Sequence, residues 1–174
     1  MIEVVLAGPG DVESEAVLRS MSSELAADTA FSRDVEIRAG QAVAERLKGM
    51  GELPVGAAVI TPAGDLSSSF IIHVVLQSRE EPVTAHGLRL ALQNGLRRAE
   101  EWGLDSLAIP PLGTGAGNLD AEEAASVMVP LIAEHIKGSE NRRSVRILVG
   151  TGYELDVFGQ AVESVQGQIP THGS

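Results

Sequence analysis

Short runs of consecutive apolar residues alternate along this chain with stretches in which apolar positions recur every three or four residues. Ile2-Glu3-Val4-Val5-Leu6-Ala7 has the pattern of a strand and ends in the turn Gly8-Pro9-Gly10-Asp11; Glu15-Ala16-Val17-Leu18 predicts a second, short strand. From Arg38 to about Leu47 the pattern leans helical. Ala57 to Thr61 and Phe70 to Val75 predict buried strands separated by a Pro-Ala-Gly-Asp-Leu-Ser turn. Val83 to Trp102 predicts an amphipathic helix with Leu88, Leu92, Leu96 and Ala99 on one face. Leu107-Ala108-Ile109 is the next strand. Asp120, with Glu123 three positions on, predicts an N-cap for a helix running to Lys137, in which Pro130 removes a hydrogen bond and bends the axis. Val145 to Val149 predicts a last strand, Gly150 to Asp156 a turn, and Leu155 to Val165 a last helix.

Apolar strands that alternate with helices predict an α/β class, a three-layer α/β/α sandwich around a mixed, mainly parallel central sheet. Residues 1–165 are expected to form one domain and 166–174 a flexible tail. In such sheets ligands bind beyond the carboxyl ends of the strands.

Charge narrows the partners. With 24 acidic and 13 basic residues among 174, a net charge of −11, the surface repels phosphate backbones and anionic membranes. Bulk nucleic-acid binding and membrane association are therefore not expected. The absence of cysteine excludes disulfides, thiolate metal sites and a cysteine nucleophile. His86 and His135 lack metal-ligand spacing with any carboxylate, so no metal or cofactor is expected. The opening segment has no basic leader, and its apolar run is too short to span a membrane, which predicts a soluble, cytoplasmic protein.

The densest candidate chemistry is Pro110 to Asp120, PPLGTGAGNLD, between a strand and a helix. Gly113, Gly115 and Gly117 lack Cβ atoms, so backbone N–H groups there can turn toward an anion. A tight strand-to-helix turn with nothing bound uses the same residues.

Taken in order, "GPGDVESEAV", "VGAAVITPAGDL", "FIIHVV", "SLAIPPLGTGAGNLDAEEAA" and "VMVPLIAEHI" are similar to the macrodomain family, the ADP-ribose-binding module. The resemblance implies that Gly113, Thr114, Gly115, Ala116 and Gly117 form the family's second phosphate loop, clasping a diphosphate through backbone amides. It implies that Asp11 accepts from the exocyclic amine of adenine while the Val12 N–H donates to a ring nitrogen; the alternative is that Asp11 only caps its own turn. Tyr153, or less readily Phe158, falls where the family supplies a stacking ring, and a turn tyrosine with no ligand is the alternative. His73 matches a family histidine and is expected to be a buried, hydrogen-bonded residue.

The departures lie in the family's first loop. Where it carries Asn-Ala-Ala-Asn, this chain has Arg19-Ser20-Met21-Ser22, and Ser22 lacks the paired donor and acceptor of an amide. The family's glycine run, followed by Val and then Asp or Ala, falls on Ala27 to Arg33. Phe31 and Ser32 thus stand at the ligand, with Ser32 at the hydrolases' aspartate, where a serine without a partner cannot act as general base. Arg33 could reach a phosphate or simply be exposed. The resemblance implies binding of an adenine nucleotide such as ADP-ribose, free or carried on a modified protein, by a macrodomain with a degenerate catalytic loop. The alternatives are an ADP-ribosyl hydrolase or ADP-ribose-1″-phosphate processing (Appr-1-p processing) enzyme, with no catalytic residue assigned, and a ligand-free protein-association scaffold.

Overall fold

The computed structural model describes residues 1–115, 118–140 and 142–167. Six strands, β1 (Ile2–Leu6), β2 (Ala16–Ser22), β3 (Ala58–Pro62), β4 (Phe70–Gln77), β5 (Ser106–Ile109) and β6 (Ser144–Val149), form one sheet in the order β1-β6-β5-β2-β4-β3. All neighbours are parallel except β3 and β4, which are antiparallel. Among the described residues the helices are α1 (Ala30–Ala39), α2 (Gln41–Lys48), α3 (Ala85–Glu101), α4 (Ala121–Lys137) and α5 (Gly152–Gln166).

Alternation along the strands divides the core in two. Val17 and Ile71 face α1 and α2 and join Val35, Ala39, Val43 and Leu47. Leu18, Ile72, Val74 and Leu76 face the other way and join Leu88, Leu92 and Leu96 of α3 and Met128 and Ile132 of α4. The result is the expected three-layer α/β/α sandwich with a mixed, mainly parallel sheet. None of its helices, among the described residues, is long and apolar enough to cross a membrane.

The largest boundary differences from the sequence expectation are in β2, α1 and α5. β2 continues past Leu18 to Ser22, because Arg19, Ser20, Met21 and Ser22 pair with His73, Val74, Val75 and Gln77 of β4. Their polar side chains hid a strand that is buried nearly to its end. Helix begins at Ala30 instead of near Arg38. Thr29 caps it, accepting from the Ser32 N–H at 3.0 Å, and the buried face is Ser32, Val35 and Ala39, too weakly apolar to stand out as a period. α5 likewise begins at Gly152 and not Leu155, capped by Thr151, which accepts from the Glu154 N–H. α4 runs through Pro130 without interruption, with the proline on its exposed side.

Asp120 takes the expected N-cap position of α4, its carboxylate accepting from the Glu123 N–H at 2.7 Å. Asp120→Ala should lower stability by about 1 kcal/mol. Urea unfolding measures it, and an unchanged midpoint would show that the cap contributes nothing.

Candidate functional site

β5 and β2 are paired only at Ala16 with Leu107 and Val17 with Ala108. After β5 the chain passes to α4 on one face of the sheet, and after β2 to α1 on the other, so the connections part at the carboxyl edge. Such a switch in direction leaves a crevice. Here it is a cavity of about 780 Å³. One end is formed by Leu6 to Pro9 after β1, and by Leu148 to Gly150 with Glu154 after β6. One side is Pro110, Pro111, Thr114, Gly115 and Asn118 after β5; the other is Asp28 to Phe31 with Asp34, at the start of α1.

The α1 side offers backbone donors. Helix geometry leaves the N–H groups of Ala30 and Phe31 without intrahelical partners, and both residues line the cavity. In the glycine loop the residues serve different ends. Gly113 is buried with φ 73°, and a Cβ there would lie 2.9 Å from Val83 Cγ1; its carbonyl accepts from the Leu119 N–H at 3.0 Å. It shapes the turn and does not line the cavity. Gly115, with φ 129°, does line it, and among the described residues a Cβ would meet Asn118 Nδ2 alone, at 3.8 Å. Thr114 lies between them on the cavity wall. Ala116 and Gly117 lie outside the described residues.

The other expected contacts are distributed unevenly. Phe31 lines the cavity. Asp11 is exposed at the rim, its Oδ2 accepting from the Gly8 N–H at 2.8 Å, so it holds the Gly8-Pro9 turn that borders the cavity. Val12 packs against the α1-side core. Ser22 ends β2, its Oγ accepting from the Ala26 N–H at 3.4 Å, and does not line the cavity. Tyr153 is exposed on the first turn of α5 and donates to Glu122, whereas Phe158 is fully buried in the core and presents no ring to a ligand. Arg33 is exposed and does not line the cavity.

Ser32 is fully buried. Its Oγ donates to the Ser20 carbonyl and accepts from Arg19 Nη1 at 3.0 Å. This serine belongs to a polar network sealed between the sheet and α1. Arg19 and His73 are register partners on β2 and β4, both fully buried, and Arg19 Nε donates to His73 Nδ1 at 2.8 Å. That donation makes Nδ1 an acceptor, so the ring proton sits on Nε2 and goes to Thr61 Oγ1 at 2.9 Å, which in turn donates to the Pro62 carbonyl. Burial first, and the Arg19 charge second, hold the imidazole pKa well below its usual value, and the ring is neutral.

Three cavity-lining residues are carboxylates, and none is a lysine, arginine or histidine. Each carboxylate already has a donor: Ser20 Oγ on Asp28 at 2.7 Å, Arg38 Nε on Asp34 at 3.1 Å, the Gly150 N–H on Glu154 at 3.0 Å. Among the described residues no group of three or more His, Cys, Asp or Glu could hold a metal ion. Asp34 and Glu154 lie outside the segments the sequence singled out, and Asp28, Thr29, Ala30 and Asn118 lie inside them without an assigned role. Thr151 and Glu154 stand in the Ser/Thr-x-x-Glu spacing of a helix start, which pointed to that end of α5. Asn118 carried no comparable mark.

The Macro domain family model matches residues 19–128 of this chain. A macro domain-containing protein of Caldanaerobacter subterraneus subsp. tengcongensis is 28% identical over 166 residues, covering 89% of this chain and 91% of that protein. An uncharacterized protein of Pyrobaculum aerophilum is 29% identical over 177 residues, covering 97% and 94%. The fold matches the Oceanobacillus iheyensis macrodomain with ADP at a TM-score of 0.85 and 19% identity, covering 97% of this chain and 93% of that one. It matches the Trypanosoma brucei macrodomain in complex with ADP-ribose at 0.81 and 15% identity, covering 92% and 68%.

The neutral His73 makes stability depend on pH. An unfolded histidine takes a proton near its usual pKa of 6.5 and the buried ring does not, so its contribution is complete above that pH and is lost as pH falls below it. The slope is about 1.4 kcal/mol per pH unit. In urea unfolding, the native chain should lose more stability than His73→Gln between about pH 7.5 and about pH 5.5. Equal losses would contradict a buried neutral ring.

Proposed function

Because this chain belongs to the Macro domain family, we propose that its cavity binds ADP-ribose or a related adenine diphosphate, without turning it over. The observation that carries this reading is the pair of backbone elements facing each other across the cavity, the first turn of α1 and the Thr114-Gly115 wall. A diphosphate between them meets N–H groups from both sides, and the start of α1 adds the partial positive charge of a helix N-terminus. Backbone donors need no lysine or arginine. That accords with a cavity lined by none.

Asp11 sits at the rim beside the Gly8-Pro9 turn. One carboxylate oxygen holds the Gly8 N–H, and the other is proposed to accept from the amine of adenine, with the Val12 N–H as the neighbouring donor. Capping and base recognition are thereby combined in one side chain. Two placements support binding without catalysis. Ser32, at the position of the family's aspartate, is sealed under α1 and hydrogen-bonded twice. Ser22, at the position of the family's last amide, turns its hydroxyl to Ala26. A second ribose therefore finds few fixed partners, and ordering it costs entropy.

A calorimetric titration series with ADP-ribose, ADP and AMP tests the reading. Saturable heat with ADP-ribose is expected, with ADP within about tenfold of it, or about 1.4 kcal/mol. Turnover of an ADP-ribosylated protein is expected near background. A preference for ADP-ribose of about a hundredfold, or hydrolysis at an enzymatic rate, would overturn the non-catalytic assignment; no heat with any of the three would leave the scaffold reading.

Gly115→Val should abolish diphosphate binding while the circular dichroism spectrum stays native. A β-branched side chain resists the φ of 129° and occupies the space the phosphate oxygens need. A folded variant with unchanged affinity would mean that the loop is a turn and nothing more.

A further inference from the structure

Arg19 is among the largest fully buried side chains of the described residues. A guanidinium stays charged, and its desolvation is costly, so an apolar residue of similar volume is often the cheaper occupant of such a place. Its compensation here is partial. The closest carboxylate, Glu36, lies 3.9 Å from Nη1 and is one-third exposed. Nη2 has no hydrogen-bond partner, the one such buried side-chain atom among the described residues. Burial lowers the guanidinium pKa, while Glu36 and then Asp28 raise it.

The position of this charge gives it a use. Arg19 Nη1 donates to Ser32 Oγ at 3.0 Å, and the Ser32 N–H donates to Thr29 Oγ1 at 3.0 Å; Thr29 lines the cavity. The guanidinium therefore lies directly behind the first turn of α1. In front of that turn the cavity presents carboxylates and no cationic side chain. Arg38 is connected to the cavity through Asp34, but it is half exposed and screened by water and salt. A charge sealed in the core is screened far less.

We infer that Arg19, without touching the ligand, supplies the buried positive charge that lets an acid-lined cavity hold a diphosphate, and so sets how strongly the site discriminates by phosphate number. The inference rests on the adenine-diphosphate reading above. It makes Arg19 a positioning and electrostatic residue whose effect grows with each phosphate. A merely structural arginine would weaken every ligand alike.

The test is calorimetry of adenosine, AMP and ADP with the native chain, Arg19→Met and Glu36→Gln. Arg19→Met should weaken ADP by about tenfold or more, AMP by less, and adenosine by no more than about twofold. Glu36→Gln removes the opposing charge from a partly exposed position and should tighten ADP several-fold with adenosine unchanged. Equal losses for the three ligands in Arg19→Met, or an unchanged ADP-to-adenosine ratio in Glu36→Gln, overturn the inference and leave the proposed function standing. If Arg19→Met does not fold, Glu36→Gln decides alone. A native chain that gives no heat with ADP overturns the proposed function, and this inference with it.

Discussion

Between β5 and β2 the sheet reverses the side on which its helices leave, and the site depends on that reversal. The two strands share a short register, Ala16 to Val17 against Leu107 to Ala108, and beyond it their connections go to opposite faces. The backbone cannot fill the space between connections that diverge. What enters it is the start of α1 from one side, where the Ala30 and Phe31 N–H groups lack intrahelical partners, and the Thr114-Gly115 wall from the other. The cavity is thus a consequence of topology before any functional side chain is considered.

The acidity of the chain sharpens what that cavity must do. A net charge of −11 repels anions at long range, and the lining carboxylates repel them at short range. Fixed backbone dipoles answer the short-range problem without adding a mobile cation, because they are already oriented when the ligand arrives. Each lining carboxylate also accepts from a protein donor, Asp28 from β2, Asp34 from its own helix and Glu154 from the turn before α5.

How much of this was legible in the sequence follows the range of the interactions. Elements defined by neighbours in the chain were visible: the apolar strands, the amphipathic α3, the Asp120 cap and the glycine loop. α1 escaped because its buried face is Ser32, Val35 and Ala39, so the periodicity carried two apolar members and a serine. The extension of β2 escaped for a related reason. Arg19 is unremarkable as one residue in a line, and its pairing with His73 arises only when β2 and β4 lie side by side, 54 positions apart in sequence. At Asp11 the capping alternative describes a real contact, since its carboxylate accepts from the Gly8 N–H.

The polar residues between β2 and the first turn of α1 are not independent of one another. Arg19 holds Ser32, Ser32 holds the Ser20 carbonyl, the Ser20 hydroxyl holds Asp28, and Thr29 caps the helix that Ser32 begins to bury. Hydrogen bonds link positions 19, 20, 28, 29 and 32 into one network that leaves Arg19 Nη2 unpartnered, so they behave as one unit. An aspartate put in place of Ser32 alone would not face the cavity. Its carboxylate would enter a sealed space beside the Arg19 guanidinium and against the Ser20 carbonyl, where an ion pair with Arg19 is the state that avoids an unpaired buried charge.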